Sequence, residues 1–487
     1  MPTIAKNTFY LTLASVGQKL FSFIYFSILA RAIGVEKIGL YVTALSFSTL
    51  FSVAADLGLT QVLIREGAKD KEKIGQLLGS TLILKLGLAV LAYAALNAVA
   101  NLKPNPATNL IFISGVLMVL DSFTLSFYGA LRALQNLRFE AAGIIVGQIL
   151  IIAGGLLALL FKPTVSWFLL ALGVGSLFNL LWSASAALKK GIKPSFIFDK
   201  ILIKRFAIMA APFALAGIFT KIYSYIDSVL LSYLMGAKEV GYYSIPNKVA
   251  FAFQFIPMAF AAALYPAMSN FFASDKTRLK IIFEKGFFYL ALLAVPLSLG
   301  AFVIADLFVV KVYGAAYAPS VLPFKIIVLS VIFAFLDFPI GSLLNACRRQ
   351  TAQTAAMGAT MVLNILLNLF LIPRLGVTGA AIAAALSNAA LFFIGFCFVP
   401  KIISLPSGFF WWKILKIIAT GLVMALAVKY GALLLPRVLS PVGFVKTLIF
   451  LSLLIIFGGS FYFLLLWITR VIRKEELKDF LAVFKKS

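Results

Sequence analysis

Apolar stretches of about 20 residues, each long enough to cross a bilayer as one helix, recur along this sequence from end to end. That feature leaves few folds open. In a hydrocarbon core every backbone N–H and C=O must be paired internally, so only helices and closed barrels can span it. The runs are continuous and lack the alternation of barrel strands, so the expected fold is an all-α polytopic membrane protein. Composition agrees, with 62% hydrophobic and 12% charged residues among 487. Soluble chains hold roughly 45–50% and about 25%.

The apolar pattern divides into fourteen spans near residues 8–30, 38–58, 75–97, 108–131, 139–160, 165–187, 206–233, 240–269, 286–308, 319–345, 350–372, 377–399, 411–435 and 443–469. The opening MPTIAKNTFYL lacks a cleavable signal pattern, so the first span is expected to be retained. A net charge of +26 first suggests nucleic acid. Its placement argues otherwise. Most of the 43 Lys and Arg lie beside the termini and the even-numbered loops, which predicts both termini in the cytosol and a multi-pass protein of the cytoplasmic membrane. Membrane lipids, with anionic headgroups, are the partners this charge implies. Trp182, Trp411, Trp412 and Trp467 fall at expected cytosolic helix ends and Trp167 at an outer one, as an interfacial belt requires. Cys347 and Cys397 carry no metal or redox spacing and read as buried thiols.

The longest outer connection, near Asn101 to Asn109, is only about ten residues, too short for a folded outer domain. The longest inner one, KKGIKPSFIFDKILIKRF from Lys189 to Phe206, is strongly basic. The expected organisation is an N-terminal six-helix lobe (1–190), a basic cytoplasmic linker (191–205), a second six-helix lobe (206–400), and helices 13 and 14 with a cytoplasmic tail (401–487). An internal repeat supports it: ARAIGVEKIGLY from Ala30 aligns without gaps to SYLMGAKEVGYY from Ser232, pairing Gly34 with Gly236, Gly39 with Gly241 and Lys19 with Lys221. A weaker alignment pairs Asp121 with Asp337, Arg132 with Arg348 and Gln148 with Asn364. Six helices per repeat return each helix in the same orientation, so the lobes are expected to be related by a pseudo-two-fold along the membrane normal.

Six lysines fall inside spans: Lys19, Lys85, Lys221, Lys248, Lys325 and Lys429. A lysine at a helix centre costs ~2.5–3.5 kcal/mol on insertion scales, so a partner must offset it. Lys19 lies about 11 residues, or ~16 Å, from either end of its span, beyond a lysine stem's reach. Lys325 and Lys429 are close enough to outer helix ends to snorkel, and Lys85 and Lys248 are intermediate. For Lys19 and Lys221 two readings stay open. They form structural ion pairs with Asp121, Asp227 or Asp337, or they line a wet cavity that receives an anion. Asp121, Asp337 and Asp227 are in turn counter-ions, coupling sites for H+ or Na+, or interhelical glue. Asp56 and Asp306 read as capping or interface residues. Prolines within spans, at Pro212, Pro246, Pro257, Pro296 and Pro339, offer bending points.

Enzyme chemistry finds little footing. No histidine is present, which removes imidazole acid–base work and His-ligated metals, and no GxxxxGK[ST] loop is found for ATP. No cofactor is expected beyond a coupling H+ or Na+.

ARAIGVEKIGLYV with VAADLGLTQVLIRE, AKEVGYYSIPNKVAFAFQFIPMAFAAALYPAMS, and LNILLNLFLIPRLGVTGAAIAAALSN together resemble the polysaccharide transporter family of the multidrug/oligosaccharidyl-lipid/polysaccharide flippase superfamily. The resemblance covers nearly the whole chain. It implies two six-helix bundles around a central cavity, alternating access, and a polyprenyl diphosphate-linked glycan moved from the cytosolic to the outer leaflet. Its pattern includes Arg31, Gly34, Gly39, Asp56, Gly58, Gly241, Pro266, Asn368, Pro373, Gly376 and Gly379, mostly packing and turn positions. On that implication the cavity cations are Lys19, Lys221, Lys248, Lys85 and Arg31, which would meet the diphosphate. Other expectations are monomeric action and a glycan polymerase or ligase as working partner. Alternatives are a peptidoglycan-precursor flippase and a cation-coupled multidrug exporter. Relatives of the latter kind are expected to place a carboxylate in the first helix, where this chain has Lys19. A membrane-bound glycan polymerase is the enzyme alternative.

Overall fold

The computed structural model describes residues 2–196, 200–434 and 444–471. Residues 197–199 of the expected linker and the tail beyond 471 lie outside the described residues. All regular structure among those described is helical, in α1 (Pro2–Asp56), α2 (Leu59–Lys69), α3 (Ile74–Leu102), α4 (Thr108–Ala133), α5 (Arg138–Phe161), α6 (Val165–Lys189), α7 (Lys200–Met235), α8 (Ala237–Phe253), α9 (Phe255–Phe272), α10 (Lys276–Phe308), α11 (Val321–Ala346), α12 (Gln350–Phe396), α13 (Gly408–Leu434) and α14 (Phe444–Ile468), with short π and 3-10 turns between.

Among the described residues twelve segments are apolar and long enough to span, and the two longest each hold enough chain for two crossings. Leu13–Asp56 and Gln350–Lys401 hold 44 and 52 residues. As straight helices they would run ~66 and ~78 Å against a hydrocarbon core of about 30 Å. Each is broken at a single glycine, Gly34 (φ 81, ψ 174) and Gly376 (φ 55, ψ −134), in backbone regions that a Cβ disfavours. The legs fold back. Gln18 lines the same cavity as Ser48 and Ser52, which follow Gly34 by nearly the distance that Gln18 precedes it. In α12 a Cβ on Gly379 would collide with the Leu371 carbonyl across the turn. Counting each hairpin as two crossings gives the fourteen spans expected from sequence.

The chain forms two compact units, 1–241 and 242–487. In the first, α4 packs on α1, α3 and α6, and α7 packs along α1. The repeat assigns α7 to the second lobe, yet its packing places it in this unit. Asp56 closes α1 and caps the short α2. Its carboxylate accepts from the Gly58 and Thr60 amides at 3.2 and 3.3 Å, as its expected capping role requires. The apolar face of α2, through Leu59, Val62 and Leu63, joins Leu77, Leu78, Tyr128 and Leu131 in a core that Phe206 of α7 completes. The described start of the linker lies over α3, where the Ser195 amide donates to Gly75 at 3.0 Å.

The first internal repeat has a structural counterpart. Gly34 and Gly236 both have positive φ, 81 and 93. A Cβ on Gly39 would strike the Ala237 carbonyl, and one on Gly241 would strike that of Val35, the repeat equivalent of Ala237. The two copies therefore touch backbone to backbone through equivalent positions. Gly39→Ala should lower stability by ~1–3 kcal/mol through overpacking at this contact. Thermal unfolding in detergent reads this, and an unchanged midpoint would contradict the backbone contact.

The weaker repeat is out of register. Helices α4 and α11 are both 26 residues long, and each is followed after two residues by a left-handed residue, Gln135 (φ 56) and Arg348 (φ 59). These landmarks align Asp337 with Thr124 rather than Asp121, nearly one turn from the sequence alignment.

In the second unit α10, α11 and α12 form the centre, and α13 packs on α10. The Tyr462 hydroxyl of α14 donates to Leu292 at 3.1 Å. Lys325 reaches Asp306 at 2.5 Å. Cys347 is buried as expected, but Cys397 is exposed. It lies two residues beyond the buried Gly395 and so about 200° around the helix.

Candidate functional site

A cavity of about 600 Å³ opens within the first unit. Its wall is built from both legs of α1 (Gln18; Leu45, Ser48, Thr49, Ser52, Val53, Asp56), from α4 (Leu117, Met118, Asp121, Ser122, Leu125), from α6 (Leu172, Gly175, Ser176, Asn179) and from α7 (Phe213, Gly217, Lys221), with Gly58, Gln61 and Ile151 completing it. On α7 the lining positions are four residues apart, one stripe of a helix. Four hydroxyl residues project from α1 and α4 in segments otherwise apolar. Some of them bond to their own helix. The Ser48 hydroxyl donates to Leu45 at 3.0 Å and that of Ser52 to Thr49 at 2.7 Å. Asn179 donates to Gly175 at 3.1 Å and accepts from the Tyr128 hydroxyl at 2.9 Å, which fixes its amide.

Lys221 is the cation among the lining residues. It is half-buried, its ammonium lies 5.5 Å from the Tyr225 ring, and no carboxylate comes within ion-pair distance of it among the described residues. A cation–π contact thus stands where a salt bridge would be expected. Asp121 faces the cavity with the Ser176 hydroxyl beside it.

The other expected cations are placed elsewhere. Lys85 is fully buried and lines no part of the cavity. Its ammonium contacts the Asp56 carboxylate at 2.6 Å, the Ser122 carbonyl at 2.7 Å and the Thr60 hydroxyl at 2.9 Å. Three contacts satisfy its three donors, so Lys85 is the structural ion pair that sequence reasoning weighed for Lys19 and Lys221. Lys19 is exposed and absent from the cavity wall, although its neighbour Gln18 is part of it. Arg31 is exposed near the Gly34 turn. Lys248 is half-buried on α8 of the second unit, and Asp227 is buried on α7 outside the cavity lining. Asp337, on α11 of the second unit, has one carboxylate oxygen buried without a hydrogen-bond partner. The cavity therefore brings together Lys221 and Asp121 from the expected set, and adds Gln18, Ser48, Thr49, Ser52, Ser176 and Asn179. The signal for the α1 residues was present in YVTALSFSTLFSVAAD, a hydroxyl-rich run inside an apolar span.

Comparison with known proteins places this arrangement. Residues 4–272 match the family model described as polysaccharide biosynthesis protein, and residues 212–370 match the MatE model. The chain is 22% identical over 497 residues to the probable low-salt glycan biosynthesis flippase Agl15 of Haloferax volcanii, covering 99% of each. It is 28% identical over 170 residues to the probable flippase AglR of the same organism, 34% of this chain and 35% of that one. Among solved structures, the lipid II flippase MurJ in an inward closed conformation superposes with a TM-score of 0.74 at 16% identity, over 95% of this chain and 99% of that one. An inward-facing multidrug resistance transporter gives 0.65 at 15% identity, over 82% and 95%. The fold is thus the helical fold shared with these transporters, and, with more than half of its length matched by the family model, the chain belongs to the polysaccharide biosynthesis protein family.

Proposed function

We propose that this protein carries a polyprenyl diphosphate-linked glycan from the cytosolic to the outer leaflet by alternating access, with the diphosphate held at Lys221. The observation that carries the reading is the composition of the cavity. One lysine without a salt bridge stands among hydroxyl and amide side chains, with Asp121 and the Lys85-paired Asp56 also in the wall, inside a membrane-spanning bundle. A lysine is a mobile point charge on a flexible stem, suited to an anion that must be released as well as bound. Serine, threonine, asparagine and glutamine offer both donors and acceptors, as a sugar needs. The similar probable glycan biosynthesis flippase and the fold shared with a lipid II flippase support the same substrate class. Pro212, Pro246, Pro296 and Pro339, all inside helices, offer points at which those helices could flex during switching.

Asp121 supports a second reading, since a carboxylate in a wet cavity also suits a cationic drug. Ligand-induced stabilisation separates them. A soluble sugar diphosphate should raise the unfolding temperature of the purified protein, and a lipophilic cationic dye should leave it unchanged. Stabilisation by the dye alone would favour the exporter.

A further inference from the structure

A second cavity, an apolar groove of about 560 Å³, lies beside the polar one in the same unit. All eleven residues that line it are Leu, Ile, Ala or Gly, from α3 (Leu84, Gly87, Leu88, Leu91), α7 (Ala210 to Ile218) and the α1–α2 junction. Groove and polar cavity share two walls. At the junction Leu57 and Leu59 line the groove, whereas Asp56, Gly58 and Gln61 line the polar side. Left-handed backbone at Leu57 (φ 43) and Gly58 (φ 78) makes the turn in which these faces alternate. Along α7, Phe213, Gly217 and Lys221 line the polar cavity, and Ala214, Leu215 and Ile218 line the groove. The groove is open along its outer side, with Leu91 67% and Leu215 47% exposed.

We infer that this groove holds the first isoprene units of the substrate's polyprenyl chain while the diphosphate and sugar occupy the polar cavity. The inference rests on the flippase reading and adds a subsite to it. An amphiphile whose charged head sits at Lys221 must lead its tail out of a polar space, and the groove is an apolar space that begins on the other side of one helix. A wall without donors or acceptors selects for hydrocarbon. The small side chains of Gly87, Ala210, Ala211 and Ala214 leave room for a methyl-branched chain. On the charge-derived topology the α1–α2 junction is at the cytosolic end of the bundle, the leaflet from which the substrate arrives.

Gly87 provides the test, because it lines the groove and a Cβ there meets nothing within 4 Å, so a larger side chain has room to grow into the groove. The probes are a disaccharide diphosphate bearing a long polyprenyl chain and the same disaccharide diphosphate without one. Gly87→Trp should weaken binding of the long-chain probe by about tenfold, the loss expected when ~60 Å² of apolar contact is denied, and Gly87→Leu by less. Binding of the prenyl-free probe should be unchanged in both variants. In the wild-type protein, a photoreactive group on the first isoprene unit should crosslink to peptides containing Leu84 to Leu91 or Ala210 to Ile218. Unchanged long-chain affinity in Gly87→Trp, or crosslinks confined to other helices, would overturn the groove assignment and leave the headgroup site standing, with ordinary bilayer lipid as the occupant. Failure of the wild-type protein to bind either probe would instead remove the flippase reading, and the groove assignment with it.

Discussion

Lys221→Ala is expected to weaken binding of a lipid-linked glycosyl diphosphate by more than about tenfold while leaving the protein folded. Loss of a hydrogen-bonded charge at a desolvated site typically costs ~2–5 kcal/mol, and each ~1.4 kcal/mol is a factor of ten. Folding should survive because Lys221 is half-buried, has no carboxylate within ion-pair distance among the described residues, and so leaves none stranded when it is removed. Lys221→Arg should recover part of the affinity, since the charge is kept while the planar guanidinium presents its donors differently from an ammonium. Isothermal titration of purified variants with a soluble sugar diphosphate gives the first quantity, and the unfolding midpoint gives the second. A variant that binds normally would show that the cavity lysine does not hold the anion.

Lys85→Ala should behave in the opposite way. Here the lysine is sealed inside the first unit, its ammonium 2.6 Å from Asp56, and Asp56 also caps α2. Removing one partner of a buried pair typically costs ~3–5 kcal/mol, because the remaining charge is left uncompensated. The expected outcome is a steep fall in folded yield and unfolding temperature. Whatever folded protein is recovered should bind sugar diphosphate as the wild type does. Combining Lys85→Met with Asp56→Asn should restore part of the stability, because no net charge is then buried and one Asn oxygen can still accept at the cap. Loss of ligand affinity with intact stability would return Lys85 to the cavity.

These two lysines show what the sequence could and could not reveal. Span count and the glycine-marked turns at Gly34 and Gly236 follow from hydrophobic length and local backbone chemistry. Which way a side chain faces does not. In a helix that is apolar almost all round, periodicity gives no inward face, so Lys19 and Gln18 could not be told apart although they lie 100° from each other. Only Gln18 lines the cavity. The Lys85–Asp56 pair joins residues 29 positions apart through the α1–α2 turn, a path fixed by left-handed backbone at Leu57 and Gly58. A carboxylate near a helix end was legible as a cap. Its second role as a counter-ion was not. The weak alignment of Asp121 with Asp337 failed because a three-residue slip in an apolar helix replaces one apolar residue by another and leaves no trace in composition.

The measurement that tests the central claim most directly is flipping itself. Purified protein is reconstituted into liposomes with a fluorescent polyprenyl diphosphate-linked oligosaccharide, and the fraction of glycan on the outer surface is followed with an impermeant glycosidase. Wild-type protein should make the inner-leaflet pool accessible, and Lys221→Ala, at equal folded amounts, should do so markedly more slowly. Equal rates in liposomes with wild-type protein, with Lys221→Ala and with no protein would contradict transport of this substrate. Equal rates in wild type and Lys221→Ala, both above the protein-free control, would contradict the assignment of the diphosphate to Lys221.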